Sequence, residues 1–141
     1  MIYWNTVNED LRAALLLLMQ AEALKDFRLV GGTALSLQLG HRISVDIDLF
    51  TDADYGSVDF EAIEAFLERE FPYLDRGFGM AIGMGKSYLI GNSRDTAVKL
   101  DLYYTDTFIT PALDCEGVRM ATLEEIIAMK VDIVQRGGRK K

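Results

Sequence analysis

The segment "SVDIDLF" (residues 44–50) places two carboxylates one residue apart in a stretch typical of a buried strand. Successive side chains of a strand point to opposite faces, so Asp46 and Asp48 share one face while Ile47 and Leu49 serve the core. The two aspartate Cα atoms would stand about 7 Å apart. At that spacing the carboxylates can converge on one or two divalent cations, whereas without a cation they repel each other. The alternative interpretation is that Asp46 and Asp48 lie on an ordinary solvent-exposed face of a sheet and bind no metal.

A third carboxylate, Asp101, occurs in "AVKLDLYY" (residues 97–104), where apolar and polar residues again alternate. Asp101 falls on the polar face of this predicted strand. Three carboxylates on one face of two adjacent strands are unfavourable alone and favourable with Mg²⁺, a hard cation that takes oxygen ligands at about 2.0–2.1 Å. We therefore predict that Asp46, Asp48 and Asp101 form a magnesium site.

Upstream of these strands, Gly31-Gly32-Thr33 lies between a predicted strand and a predicted helix. Glycines allow close backbone approach, the free N–H groups at a helix start attract phosphate, and the Thr33 hydroxyl can add a hydrogen bond. The segment is not a P-loop, because no Gly-x-x-x-x-Gly-Lys-Ser/Thr follows. Metal-assisted nucleotidyl transfer requires a phosphate-binding segment beside carboxylates that hold the metal ions, such as Asp46 and Asp48. The alternative is an ordinary strand–helix turn with Thr33 as its cap.

Helices with recognisable start and stop signals flank these residues. The predicted helices are residues 7–25 behind a Thr6/Glu9 capping box, Thr33–Leu39 before Gly40, residues 58–71 capped by Ser57, and residues 123–136 behind a Thr122/Glu125 capping box. The last of these ends at Gly137-Gly138.

Short segments rich in β-branched and aromatic residues supply the strands. They are "FRLV", "SVDIDLF", a three-strand meander made of "DRGFGMAIG", "KSYLIG" and "TAVKLDLYY", and "GVRMA" as an edge strand. This order of elements predicts an α+β fold, a mixed β-sheet flanked by helices, in a single domain over residues 1–141.

Composition limits the class of protein further. The chain has 141 residues, a formal net charge of −7 and one cysteine, Cys115. The charge disfavours non-specific binding to nucleic acid, and the lone cysteine argues against a disulfide framework or a thiolate metal site. No signal peptide or membrane-spanning run is found, so we expect a cytoplasmic protein without a membrane partner.

The segments "VGGTAL" and "HRISVDIDLF" together resemble the signature of the nucleotidyltransferase AbiEii/AbiGii toxin family, within the polymerase-β-like nucleotidyltransferase superfamily. The superfamily pattern of two small residues, a short helix, Asp-x-Asp and a later carboxylate is matched by Gly31, Gly32, Asp46, Asp48 and Asp101. The family's Arg-x-x-x-Asp-x-Asp-Leu-Phe run is met by Arg42, Asp46, Asp48, Leu49 and Phe50. Near the end, "ATLEEIIAMKVDIVQRGGRKK" resembles the family's Met-Lys helix, with Lys130 at the lysine position.

This resemblance implies a nucleotidyltransferase-like fold and a role for each matching residue. Gly31, Gly32 and Thr33 would bind the phosphates of a nucleoside triphosphate, with Ser44 as a further candidate. Asp46 and Asp48 would hold Mg²⁺, and Asp101 would be the third ligand or the base that accepts a proton from the attacking hydroxyl. Arg42 and Lys130 would neutralise the triphosphate charge. Structural interpretations without a role in binding stay open for three residues. Arg42 could form an ion pair with an aspartate, Lys130 could be an exposed helix residue, and His41 could be a polar loop residue.

In one respect the sequence departs from the family pattern. In the family, the Met-Lys helix ends in a basic turn, near Arg136 in this sequence, and this turn is usually followed by Lys-Asp-x-x-Asp. This sequence stops at Lys140-Lys141 instead. Two explanations stay open, a truncated chain and the loss of a C-terminal helix, and both predict reduced activity.

The resemblance predicts an enzyme, a Mg²⁺-dependent nucleotidyltransferase that moves a nucleoside monophosphate from an NTP to a hydroxyl acceptor. Its expected setting is the toxin half of a toxin–antitoxin or phage-defence pair, with an antitoxin protein as partner. A tRNA 3′ end, a protein side chain and a small molecule all stay open as acceptors. The alternatives are a catalytically weakened module that binds nucleotide or a partner protein, and a purely structural domain.

Overall fold

The protein was analysed as a computed structural model, which describes residues 2–76 and 85–129. These residues form one mixed seven-stranded sheet with helices packed against it, which confirms the predicted α+β class. The strands are β1 (Arg28–Val30), β2 (Asp46–Thr51), β3 (Tyr73–Asp75), β4 (Gly85–Gly91), β5 (Val98–Tyr104), β6 (Leu113–Cys115) and β7 (Val118–Met120). The helices are α1 (Glu9–Met19), α2 (Gly31–Leu39), α3 (Phe60–Glu70) and α4, described over residues 123–129. Short 3₁₀ turns occupy Trp4–Thr6, Glu22–Leu24 and Arg94–Thr96.

The strand order is β3-β4-β5-β2-β1-β7-β6. At the centre, β2 pairs in parallel with β5 and antiparallel with β1. The predicted meander is present as β3, β4 and β5, which are antiparallel neighbours. Its first strand, predicted within residues 75–83, instead ends at Asp75, and residues 77–84 lie outside the described part of the chain.

The prediction of "GVRMA" as an edge strand was wrong. This segment contains β7, which lies between β1 and β6, so that β6 forms the edge of the sheet. The cause is a tight turn at Glu116 and Gly117, whose φ angles are +51° and +86°. Positive φ at both turn residues is what a two-residue hairpin requires, and it folds β6 back onto β7.

Strand β2 fixes which face of the sheet is buried. Ile47 and Leu49 are fully buried, and on the neighbouring strand so are Leu100 and Leu102. Helix α1 covers this face through contacts with β2, β4 and β5. Burial of one such side chain contributes about 1.5–3 kcal/mol, and a slip of one residue would exchange these side chains for carboxylates. The core therefore holds the carboxylates on the opposite face.

Two helix starts differ from their predictions. Helix α1 is capped by Asn8, whose Oδ1 accepts from the Leu11 N–H at 2.8 Å, while Thr6 lies in the preceding 3₁₀ turn and donates to the Tyr3 carbonyl. The helix ends at Met19 instead of about residue 25, because Ala21 is extended and a separate 3₁₀ turn follows.

Helix α3 is capped by Asp59 rather than Ser57. The Asp59 carboxylate accepts from the Ala62 N–H at 3.0 Å, whereas the Ser57 hydroxyl donates to the Asp54 carbonyl. Both errors have the same origin: several residues near each start can cap, and only the chain path decides which one lies at the last non-helical position.

Half of the capping box predicted for α4 is present. The Thr122 hydroxyl accepts from the Glu125 N–H at 3.1 Å. The Glu125 carboxylate, which is 3% exposed, instead accepts from the N–H groups of Ile109 and Thr110 at 2.8 and 3.1 Å. The Arg28 guanidinium lies 3.6 Å away. Through these hydrogen bonds, Glu125 connects the segment before β6 to α4.

We expect Glu125→Ala to lower the free energy of unfolding by about 3 kcal/mol, because two part-buried N–H groups lose their acceptor and the mostly buried Arg28 guanidinium loses its anionic partner. Chemical denaturation would measure the change. The matched control is Glu124→Ala at the exposed neighbouring position. Equal denaturation midpoints for the two variants would contradict this role of Glu125.

Among the described residues, no helix is both long enough and apolar enough to cross a bilayer.

Candidate active site

The pairing of β2 with β5 brings two of the predicted carboxylates together. Asp48 and Asp101 are directly in register between these parallel strands, so both side chains leave the sheet on the face opposite the core. Asp46 is in register with Lys99 on the same face. Asp46 is exposed at the first position of β2, whereas Asp48 and Asp101 are half-buried.

Asp48 and Asp101 lie side by side across the pairing of β2 with β5. Burial, reinforced by the adjacent Asp101 carboxyl group and by the charge of Asp46, raises the pKa of Asp48 to about 7. Without a cation, the raised pKa leaves the Asp48 carboxyl group partly protonated at neutral pH. A divalent cation can replace that proton and relieve the repulsion.

Two further side chains hold Asp101. The Ser87 hydroxyl on β4, directly opposite Asp101 in the antiparallel register, donates to Asp101 Oδ1 at 2.5 Å. The Lys99 ammonium lies 3.5 Å from Asp101 Oδ2. Ser87 was not among the residues predicted from the sequence. Its only signal was a polar residue inside the predicted strand "KSYLIG", and the partner of that residue depends on strand pairing.

The glycine bend lies beside the same carboxylates. Gly31 follows β1 with φ +74°, and a Cβ built on it would lie 2.7 Å from Asp48 Oδ2. A Cβ on Gly32 would lie 3.1 Å from Arg42 Nη2. Helix α2 starts at Gly31, two residues before its predicted start, and Val30 at the N-cap provides no side-chain cap. The N–H groups of the first turn therefore have neither an intrahelical nor a capping side-chain partner.

Thr33 connects this bend to β2. It is 1% exposed, and its hydroxyl donates to the Asp46 carbonyl and lies 2.6 Å from the Ser44 hydroxyl. In this arrangement the Thr33 side chain is engaged within the protein. Its predicted hydrogen bond to a phosphate stays a prediction, for which the Thr33 backbone N–H is the available donor.

An open cavity of about 280 Å³ connects the helix start with the aspartates. It is lined by Gly32, Thr33, Arg42, Ile43, Ser44, Val45, Asp46 and Asp48. Arg42 is exposed, and among the described residues no ion pair joins it to Asp46 or Asp48. This argues against the structural ion pair that stayed open from the sequence and leaves the guanidinium accessible to an anion.

The donor atoms of this site suit a hard cation, because every candidate ligand is a carboxylate oxygen. Within residues 2–76 and 85–129, no group of three or more His, Cys, Asp or Glu side chains is already arranged to hold a metal ion. Asp48 and Asp101 are directly in register, and Asp46 lies exposed two residues before Asp48 on β2. The three-ligand site stays a prediction.

Two further candidates from the sequence remain. Lys130 falls outside the described part of the chain. His41 is an exposed loop residue beside Arg42. The structure thus brings together the carboxylates, the glycine bend, Ser44 and Arg42, and leaves the predicted role of Lys130 untested.

The sequence of residues 14–141 matches the family model described as nucleotidyl transferase AbiEii toxin, type IV TA system. The chain belongs to the AbiEii family. This membership confirms the resemblance found on the glycine and aspartate motifs. A comparison with curated proteins gave no match.

Two solved structures from Helicobacter pylori have a similar fold. One is a candidate nucleotidyltransferase, with a TM-score of 0.58 and 22% identity over 86% of this chain and 54% of the other. The second is JHP933, with a TM-score of 0.59 and 20% identity over 86% of this chain and 53% of the other. This AbiEii-family chain therefore spans about half the length of both, and at this identity the likeness shows the fold alone.

Proposed function

We propose that this AbiEii-family domain is a Mg²⁺-dependent nucleotidyltransferase that moves a nucleoside monophosphate from an NTP to a hydroxyl acceptor. The acceptor oxygen bonds to the α-phosphorus, the bond from the α-phosphorus to the bridging oxygen breaks, and pyrophosphate leaves. The single observation that carries the proposal is the placement of Asp48, which is in register with Asp101, directly against Gly31 at the start of α2.

The start of α2 is the proposed triphosphate site. Its first-turn N–H groups carry partial positive charge, and Gly31 and Gly32 let a phosphate approach the backbone closely. Arg42 adds a full charge next to Gly32. Ser44, half-buried in the same cavity, is a further candidate donor, provided that its hydroxyl proton turns from Thr33 Oγ1 to a phosphate.

The acidic face of β2 and β5 is the proposed metal site and base. Asp46, Asp48 and Asp101 would hold Mg²⁺, which when bound stabilises charge on the attacking and leaving oxygens. Asp101, with Oδ1 held by Ser87, is the group that accepts the proton of the acceptor hydroxyl. The predicted contribution of Lys130 is neutralisation of the triphosphate.

The family supports a cytoplasmic toxin with an antitoxin partner as the biological setting. A tRNA 3′ end, a protein side chain and a small molecule such as an aminoglycoside are the candidate acceptors. The net charge of −7 disfavours a large nucleic acid among them.

Pyrophosphate release tests the proposal. The protein is incubated with Mg²⁺ and each α-labelled NTP, together with tRNA, cell protein or aminoglycoside, and the labelled product is identified. We expect release with at least one combination and none after addition of EDTA. Binding of nucleotide without release in every combination would favour the weakened binding module instead.

Arg42→Ala is expected to raise KM for the NTP about tenfold with little change in kcat, because the guanidinium contacts the triphosphate equally in the ground and transition states. Steady-state pyrophosphate release measures both constants. Arg94→Ala, at an exposed position on the 3₁₀ turn Arg94–Thr96, is the matched control. If both variants keep the original KM, Arg42 does not bind the triphosphate.

A further inference from the structure

Ser87 on β4 is a polar residue in a buried position. It is 4% exposed, and its register with Asp101 places both side chains on the acidic face. The O–H···O distance of 2.5 Å to Asp101 Oδ1 lies at the short end of the range for a hydroxyl that donates to a charged carboxylate. A serine carries one hydroxyl proton, and here that proton is given to Asp101.

The remaining neighbours show what this bond does to Asp101. The Tyr103 hydroxyl lies 3.5 Å from Ser87 Oγ and, because the serine proton is already used, can act toward Ser87 only as a donor. Lys99 lies 3.5 Å from the other carboxylate oxygen, Asp101 Oδ2. Ser87 and Lys99 thus hold different oxygens of one carboxylate.

Loss of the Ser87 hydroxyl would release Asp101 Oδ1. The carboxylate would then be free to rotate about its Cα–Cβ bond and to move closer to the Lys99 ammonium on its own strand, which lies 3.5 Å from Oδ2. Asp48 and Asp101 are the two proposed ligands that the β2–β5 register places directly side by side. The orientation of Asp101 therefore depends on the hydroxyl from the third strand.

We propose that Ser87 is a positioning residue, which holds Asp101 toward Asp48 so that the pair can receive Mg²⁺ and accept the substrate proton. This inference rests on the proposed nucleotidyltransferase function. Hydrogen-bond partners that orient metal ligands typically change metal affinity or activity about 10–100-fold when they are removed.

The test compares Ser87→Ala with Ser87→Thr, which keeps a hydroxyl. Ser87→Ala is expected to lower kcat about 10–100-fold and to raise by a similar factor the Mg²⁺ concentration that half-saturates binding of a non-hydrolysable NTP analogue. At saturating Mg²⁺ the KM for the NTP stays unchanged, because the proposed triphosphate contacts lie at the start of α2 and in the segment with Arg42 and Ser44. Ser87→Thr recovers both quantities to within a few-fold of the original protein.

The matched control is Ser36→Ala, which removes another buried hydroxyl. Ser36 is fully buried in α2, and its Oγ has no hydrogen-bond partner among the described residues. We expect Ser36→Ala to keep the original kcat and Mg²⁺ dependence. If Ser87→Ala does not fold, Ser87→Cys, which keeps a side chain of similar size with a weak donor, must show the same loss.

Two results would overturn the inference, and they distinguish its failure from the failure of the proposed function. Ser87→Ala or Ser87→Cys with the original kcat and Mg²⁺ dependence, in a protein that transfers nucleotide, overturns the positioning role alone. An original protein with neither transfer nor Mg²⁺-dependent analogue binding overturns the proposed function together with this inference.

Discussion

Asp48→Asn is expected to abolish nucleotidyl transfer and, in the Mg²⁺-free protein, to increase the free energy of unfolding at neutral and alkaline pH. The substitution removes a charged oxygen ligand at the centre of the proposed site. A loss of about 4 kcal/mol of transition-state stabilisation corresponds to roughly a thousandfold decrease in rate. Pyrophosphate release at saturating NTP and Mg²⁺ measures this loss.

The gain in stability follows from the pKa of Asp48. Burial and the neighbouring carboxylates raise this pKa to about 7 in the folded chain, against about 3.9 in an unfolded chain. The folded state therefore binds the proton more tightly, and stability falls as pH rises from about 4 through about 7. The upper limit of this loss is about 4 kcal/mol, and about 2 kcal/mol is expected once solvent around the half-buried group screens the charges.

Asparagine carries no charge at any of these pH values, so the variant escapes this loss. Thermal or chemical unfolding in EDTA should show the variant more stable at pH 8 and similar to the original protein below about pH 4. Asp95→Asn, on the exposed 3₁₀ turn Arg94–Thr96, is the control and should change neither transfer nor stability appreciably. A variant that is destabilised at pH 8, or that still transfers nucleotide, would contradict this account of Asp48.

Gly31→Ala is expected to reduce transfer about a hundredfold and to lower stability by about 1–2 kcal/mol. The stability loss comes from a side chain at φ +74°, in the left-handed region. The activity loss comes from the new Cβ, which would lie 2.7 Å from Asp48 Oδ2 and must displace it. A displacement of about 1 Å at reacting groups costs roughly a hundredfold in rate.

Gly56→Ala separates these two effects. Gly56 has φ +87°, and a Cβ built there meets nothing within 4 Å. This control should show a similar loss of stability without loss of transfer. If the two glycine variants transfer nucleotide equally well, the contact between Gly31 and Asp48 is not important for the reaction.

Local patterns were enough to predict the strands that carry the site. Alternation in β2 and β5 correctly assigned Ile47 and Leu49 to the core and the aspartates to the opposite face, because one buried face fixes the side of every residue in a strand. The stop of α2 at Gly40, with φ +68°, also followed from sequence. Such features depend on residues within one element.

Features that depend on pairing between distant segments could not be predicted. The Ser87–Asp101 hydrogen bond depends on the register of β4 with β5. The edge strand β6 depends on the hairpin that pairs it with β7. The Thr33 hydroxyl also has a partner that the sequence did not indicate, because the Ser44 hydroxyl, eleven residues later, lies 2.6 Å from it. The partner of a hydrogen-bonding side chain depends on which groups the fold brings near it, and distance along the sequence does not predict that partner.

Calorimetric titration with a non-hydrolysable NTP analogue, in Mg²⁺ and in EDTA, tests most directly whether the carboxylates and the start of α2 form one nucleotide site. The original protein and Asp95→Asn should bind the analogue much more tightly in Mg²⁺ than in EDTA, whereas Asp48→Asn and Asp101→Asn should lose most of that difference. The same Mg²⁺ dependence in all four proteins, or binding that is independent of Mg²⁺ in the original protein, would contradict the proposed site.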